Sequence, residues 1–193
     1  MDYLAFALSS LEEHYHHTFV KDVSTPIEGV SLDALKTSRI VFQKEVWERL
    51  QNIALTTQVD EKEIGFLLYG KEFLPNQVYF FDIVLSDAPL KSIVAEFDPV
   101  TCQELQDVIE RNLDARTVVA HGHSHPKINE KYSFFSLGDF ASYVELTKTV
   151  PDFQSKDMQL VGCLVTPDTP IQFAYFNPAD DKFYCFQTIE VES

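Results

Sequence analysis

The sequence predicts an α/β protein built on a mixed sheet flanked by helices. Two patterns point to this class. Apolar runs with strand character alternate with helical-period segments through the middle of the chain, and the last third reads as a meander of three strands. Composition supplies the material: 45% of the 193 residues are apolar, with 16 Phe and 8 Tyr against only 6 Gly and 9 Pro. That is enough to bury one substantial core, and too short a chain for two comfortable domains.

Leu4, Leu8, Leu11 and Tyr15 recur at helical spacing and predict an amphipathic N-terminal helix. From about Ser24 to Thr37 the turn formers, Pro26 and Gly29 among them, predict a loop, so that residues 1–37 read as an extension of a core domain spanning 38–193. Ile40-Val41-Phe42 predicts a short strand, and Val46, Trp47, Leu50, Ile53 and Ala54 mark the buried face of a helix after it. Glu63 to Tyr69 and Gln77 to Leu85 read as strands joined through Gly70 and Pro75. Asp98-Pro99 places an N-cap residue before a proline at the first helical position, and Cys102, Leu105, Val108 and Ile109 give that helix its apolar face. Thr117 to His121 reads as a strand, and Phe140, Tyr143, Val144 and Thr147 have helical period. Strands are expected at Gln159 to Thr166, Ile171 to Phe176 and Lys182 to Gln187, the last two joined by the turn Asn177-Pro178-Ala179-Asp180-Asp181.

Charge narrows the partners. Fifteen basic against thirty acidic residues leave a net charge of −15. Such a field repels phosphate backbones and anionic membranes, so neither nucleic acid nor membrane is an expected partner. Cys102, Cys163 and Cys185 are odd in number, far apart and set in apolar surroundings, which predicts buried free thiols and no thiolate metal site. The chain opens without a basic, cleavable apolar leader, and its longest apolar run, Val78 to Leu85, is broken by Asp82. A cytoplasmic location is expected.

The chemistry concentrates in His123-Ser124-His125-Pro126 and Ser136-Leu137-Gly138-Asp139. Two imidazoles at i and i+2 of an extended segment point the same way, because strand side chains alternate faces. Such a pair can clamp one metal ion, with Asp139 as a third ligand. Three N/O ligands with a fourth position left to water make a catalytic zinc site, whereas a structural site is closed by four, often cysteines. Glu63 opens an apolar strand, where an isolated charge is otherwise poorly placed, and is the candidate general base. Ser136 is the candidate donor to a tetrahedral oxyanion.

This set resembles the JAMM motif of the MPN/JAB zinc metalloproteases: a strand-borne Glu, then His-x-His-Pro, then Ser-x-x-Asp. The resemblance spans about residues 38 to 193. It implies that His123, His125 and Asp139 bind Zn2+, that Glu63 is general base and acid, and that Ser136 supports the oxyanion. It further implies a three-layer α/β/α fold like that of cytidine deaminases, and cleavage after the C-terminal tail of a ubiquitin-like or sulfur-carrier protein. The short run from Asp139 to the next strand leaves no room for the zinc-bearing insertion of some eukaryotic deubiquitinases, so the compact form is similar to prokaryotic members. The spacing departs in one place. The family commonly has seven residues between the second His and the Ser, and here Pro126 to Phe135 makes ten. Ser133 sits at the usual spacing, but three residues beyond it stands Ser136, which cannot replace a carboxylate ligand. The register through Ser136 and Asp139 restores the carboxylate and implies a three-residue loop insertion, whose Lys127, Asn129 and Lys131 are candidate contacts to a substrate tail.

Other readings of the same residues stay open. Ser-x-x-Asp is also a helix-capping pattern, compatible with a ligand role for the Asp. His121 shares a strand face with His123 and serves either as a partner behind the ligands or in strand packing. His14, His16 and His17 lack an accompanying carboxylate set and read as a solvated helix surface. The rival functions are a non-enzymatic scaffold of the same fold and a zinc hydrolase of a small-molecule amide.

Overall fold

The computed structural model describes residues 32–34, 38–60, 62–85, 116–126, 134–149, 151–154, 158–167, 170–186 and 188–192. Within them, apolar alternation becomes sheet. Strands β3 (Gly65–Leu74) and β4 (Gln77–Leu85) form an antiparallel hairpin whose tight turn places Asn76 at φ 64. Asn tolerates this left-handed conformation better than most residues, and its N–H donates to Glu72 Oε1 at 2.7 Å. Helix α1 (Lys44–Asp60) follows strand β2 (Arg39–Phe42) and buries Val46, Leu50, Ile53 and Thr57, which stand at i, i+4, i+7 and i+11 on one face.

Strands β1 (Leu32–Ala34), β5 (Arg116–Ser124), β6 (Met158–Val165), β7 (Gln172–Asn177), β8 (Lys182–Cys185) and β9 (Thr188–Val191) complete a nine-stranded sheet in the order β1-β8-β7-β6-β5-β3-β4-β2-β9. Pairing is mixed: β3–β4, β3–β5, β6–β7 and β7–β8 are antiparallel, while β5–β6, β2–β4, β2–β9 and β1–β8 are parallel. This is an α/β architecture, as the alternating pattern predicts.

The sheet must curl. β8 and β9 lie seven places apart in the strand order. A flat sheet would separate them by about 34 Å at about 4.8 Å per strand. Yet Cys185 and Thr188 are three residues apart in sequence, and that length of chain spans at most about 11 Å. The ring of Phe173 on β7 stacks on Phe80 of β4 at 5.7 Å and lies 5.8 Å from Phe42 of β2, so side chains meet across the concavity.

The strands divide their side chains between two cores. Phe66, Leu68, Val118, Ala120, Val161 and Cys163 pack with Val46, Leu50 and Ile53 of α1. Leu67, Tyr69, Val119, Leu160 and Leu164 pack instead with Phe140, Tyr143 and Leu146 of helix α2 (Leu137–Thr149) and Phe153 of the short helix α3 (Pro151–Gln154). Neighbouring residues of one strand thus serve opposite faces, the period of two in its simplest form.

Gly162 shows how tightly α2 is seated. A Cβ there would lie 2.3 Å from the Tyr143 ring, so the helix rests directly on bare backbone. Gly162→Ala is expected to destabilise the protein by about 1–3 kcal/mol through overpacking, each kcal/mol lowering Tm by roughly 2–4 °C. An unchanged Tm in thermal denaturation would mean that α2 does not depend on this contact.

The structure differs from the sequence expectations at several element ends. Leu32–Ala34, inside the expected loop, pair with β8 as a strand. β3 begins at Gly65, so Glu63 stands two residues before the strand, in the extended segment that enters it. β5 runs on to Ser124 and carries His123 within it. β9 was not expected; it becomes a strand by pairing with β2, a non-local partner that local pattern does not reveal. The expected helices at residues 4–15 and from Asp98 lie outside the described residues, as does Cys102. Cys163 is buried and free, as expected, and burial pushes its thiol pKa up. Cys185 is free and partly exposed. Among the described residues no helix is long and apolar enough to cross a membrane.

Candidate metal centre

The site forms where β5 ends against the start of α2. Alternation along β5 sends His121 and His123 to the α2 side, where their rings lie edge-on to Tyr143 and Phe135 respectively. His125 stands just past the strand, its N–H bonded to the Val165 carbonyl of β6 at 3.0 Å. This tie to the neighbouring parallel strand keeps His125 in line with His123, and the two Nε2 atoms come to 3.0 Å.

Asp139 arrives through a reciprocal helix cap. The Asp139 N–H donates to Ser136 Oγ at 3.2 Å, while the Ser136 N–H donates to Asp139 Oδ2 at 2.6 Å. Two N–H groups that the helix itself leaves unpartnered are thereby satisfied. The carboxylate divides its labour: Oδ2 holds the helix start, and Oδ1 lies 3.3 Å from His123 Nε2. The capping and ligand readings of Ser-x-x-Asp describe one geometry.

Glu63 enters from the segment before β3, with Oε1 3.6 Å from His125 Nε2. Glu63 is 3% exposed, and His123, His125 and Asp139 are buried with it at 5%, 3% and 1%. Four ionisable side chains buried together are costly unless they share a purpose or a counter-charge.

Their electrostatics are mutual. Burial opposes protonation of His123, but the Asp139 charge, its hydrogen bond and Glu63 outweigh burial and raise its pKa above the ordinary value. Burial would likewise raise Asp139, yet His123, His125 and the Ser136 N–H hold it well below the usual carboxylate range. His121 behaves differently. Burial first, and His123 second, push its pKa down to about 3 against the pull of Asp139, so it is neutral at physiological pH. Its ring packs against Tyr143 rather than joining the ligand group, which favours the packing role.

The donor set fits a small divalent cation. One ligand atom from each of His123, His125 and Asp139 falls within 4.8 Å of the others. Ligand atoms about 2.0–2.2 Å from a shared tetrahedral ion stand about 3.3–3.6 Å apart. The observed separations of 3.0 and 3.3 Å lie at or just inside that edge. Two imidazole nitrogens at 3.0 Å also need something between them, a proton or an ion, because two lone pairs repel. Imidazole and carboxylate donors suit the borderline divalent metals, zinc and iron(II) among them, and no cysteine accompanies them.

Of the other candidates from sequence, Ser136 is in place at the helix cap. Its hydroxyl oxygen accepts from Asp139 N–H, which leaves its O–H free to turn toward a reacting oxygen. Lys127, Asn129, Lys131 and the alternative serine Ser133 lie outside the described residues, as do His14, His16 and His17. Ser136→Ala is expected to lower stability by about 1 kcal/mol through the lost cap and, in the oxyanion role that the resemblance implies for it, to lower turnover by ~10²–10³-fold. Ser133→Ala is expected to leave both unchanged. Steady-state kinetics and thermal melts on both variants check this, and the reverse ranking would assign the motif to the wrong serine.

Two residues of the site escape a motif reading. Ser124 sits between the histidines but faces away from them, and its Oγ lies 2.5 Å from Thr57 Oγ1 of α1 and 2.8 Å from the Ile64 nitrogen. A hydroxyl in an otherwise apolar helix stripe, at Thr57, was the available signal. No family model matches the chain, and no curated protein is significantly similar to it.

Proposed function

We propose that this chain is a zinc-dependent peptidase or isopeptidase of the JAMM type. It would cleave after the C-terminal tail of a ubiquitin-like or sulfur-carrier protein. The observation that carries the reading is the convergence of His123, His125 and Asp139 with the buried Glu63 carboxylate 3.6 Å from His125. The α1 core on one face of the sheet and the α2–α3 core on the other support the three-layer, cytidine-deaminase-like arrangement that this family implies.

Zinc bound by the three ligands supplies Lewis acidity toward a carbonyl and acidifies water. The remaining chemistry belongs to the chain. Glu63 Oε1 takes the proton from the attacking water and delivers it to the departing amine, so one carboxylate serves both halves of the reaction. The Ser136 O–H donates to the carbonyl oxygen as negative charge grows on it. Burial of all four ionisable residues keeps bulk water from screening these charges. Lys127, Asn129 and Lys131 follow His125 closely in sequence, and the two lysines would suit an acidic or carboxylate-bearing tail in an otherwise acidic protein. The same acidity, and the free thiols, support a cytoplasmic setting with no nucleic-acid or membrane partner.

The test is zinc content by elemental analysis, joined to cleavage of a ubiquitin-like fusion followed by mass spectrometry. One zinc per chain and a cut after the tail are expected, with activity lost to a chelator and restored by zinc. Protein without zinc would favour the scaffold reading. Zinc-loaded protein that leaves every tail fusion intact, but hydrolyses small amides, would favour the small-molecule hydrolase.

A further inference from the structure

Between the two metal-site histidines lies a residue whose contacts lead elsewhere. Ser124 is wholly buried and its side chain turns to the α1 side of the sheet, opposite His123. There it holds one residue, Ile64, by both backbone groups. Ile64 N–H donates to Ser124 Oγ at 2.8 Å, and Ser124 N–H donates to the Ile64 carbonyl at 3.1 Å. Thr57 Oγ1, on the last buried turn of α1, meets Ser124 Oγ at 2.5 Å and is also wholly buried. Ile64 is the immediate neighbour of Glu63.

We propose that Ser124 and Thr57 form a clasp that positions Glu63 against the metal site. The proposal rests on the assignment of Glu63 as the base. Three consecutive residues of one strand end then have divided roles: His123 and His125 hold the ion, and Ser124 between them sets the distance to the base. Glu63 stands outside the regular pairing of β3, which starts at Gly65 opposite His123. Without the clasp the residue next to Glu63 would lose the hold on its N–H, and the carboxylate could shift from the place where it meets water. Alternation makes the device compact, because ligands and clasp use opposite faces of the same three residues. Thr57 adds the third anchor: it ties the serine to α1, so that helix, base segment and ligand strand move as one body.

The clasp acts on the geometry of proton transfer, so its loss should appear in kcat. Ser124→Ala is expected to lower kcat on a cleavable ubiquitin-like fusion by ~10–100-fold, as for a reacting group misplaced by about an ångström, with KM within about twofold of wild type. Zinc should remain at one per chain, since all three ligands are untouched. Thr57→Val, which replaces the hydroxyl by a methyl of like size, should lower kcat in the same direction. Thr57→Ser, which restores the hydroxyl, should recover it. The double variant Ser124→Ala/Thr57→Val should be no worse than the poorer single one, because both cut one tie. Amide exchange at Ile64, followed by NMR in the zinc-loaded protein, should accelerate about tenfold in Ser124→Ala. Loss of zinc in Ser124→Ala would overturn the proposal by making the serine a support of the ligands. An effect on KM alone, a Thr57→Ser variant as poor as Thr57→Val, or unaltered Ile64 exchange would each overturn it as well. A wild-type protein that binds zinc and cleaves nothing would sink the hydrolase reading, and Ile64 exchange would then decide the clasp by itself.

Discussion

Glu63→Gln should keep its zinc and its fold and lose turnover by at least ~10²–10⁴-fold, the usual contribution of a general base. The substitution is nearly isosteric, so the buried pocket is neither emptied nor overfilled. An amide retains a polar oxygen toward His125 Nε2, 3.6 Å from the present carboxylate oxygen. It cannot accept the proton of water. Because the same carboxylate would reprotonate the leaving amine, both bond-making and bond-breaking suffer, and the loss should exceed that of Ser136→Ala. Single-turnover cleavage of a tail fusion, with elemental analysis of the same preparation, measures both halves. If Glu63→Gln arrived without zinc, the residue would be a ligand and the base would have to be sought elsewhere. If it turned over normally, the geometry around His125 would serve some other chemistry.

His123→Ala and Asp139→Ala should abolish stoichiometric zinc. Groups that merely support a ligand cost ~10–100-fold in metal affinity, so removing a ligand should cost more. The two variants are not equivalent in stability. Asp139→Ala also deletes the acceptor of the Ser136 N–H at the helix start. His123→Ala leaves that cap intact but takes away the charge partner that holds the buried Asp139 ionised. Asp139→Ala is therefore expected to melt lower relative to wild type in metal-free buffer through fraying of α2, and His123→Ala to bring the Asp139 pKa back up. Competition with a chromophoric chelator gives the affinities, and melts in metal-free buffer give the stabilities. Wild-type zinc affinity in both variants would place the metal away from this site.

Much of this was legible before the chain was folded. The α/β class, the presence of strands β3 and β4 and helices α1 and α2 follow from periodicity, because each of these elements has its buried face encoded in its own spacing. By contrast, β3 runs through Gly70, expected as part of the connection, to Leu74 because it pairs with β4. The ligand candidates follow from residue type and order: an i, i+2 histidine pair in an extended segment has to project to one side. The choice of Ser136 over Ser133 also followed from sequence, since only one register ends in a carboxylate, and the structure brings that carboxylate to the histidines. Chain order alone was silent where pairing is non-local. β1 and β9 are strands because of β8 and β2, not because of their own residues, and the curl of the sheet emerges only from the full strand order.

What the sequence by itself determined is which side chains are candidates, two histidines and an aspartate for a metal and a glutamate for a proton, because chemistry depends on side-chain type. What only the tertiary structure decided is their distances and their burial. Glu63 and His125 are 62 residues apart in the chain and reach 3.6 Å through the pairing of β3 with β5 and the hold of Ser124 on Ile64. His121, alike in type to its neighbours, is set apart from them by the Tyr143 ring that α2 lays against it. Position along a chain specifies which groups exist, while the packing of one element on another specifies which of them meet, since contact energies act through space and not along the backbone.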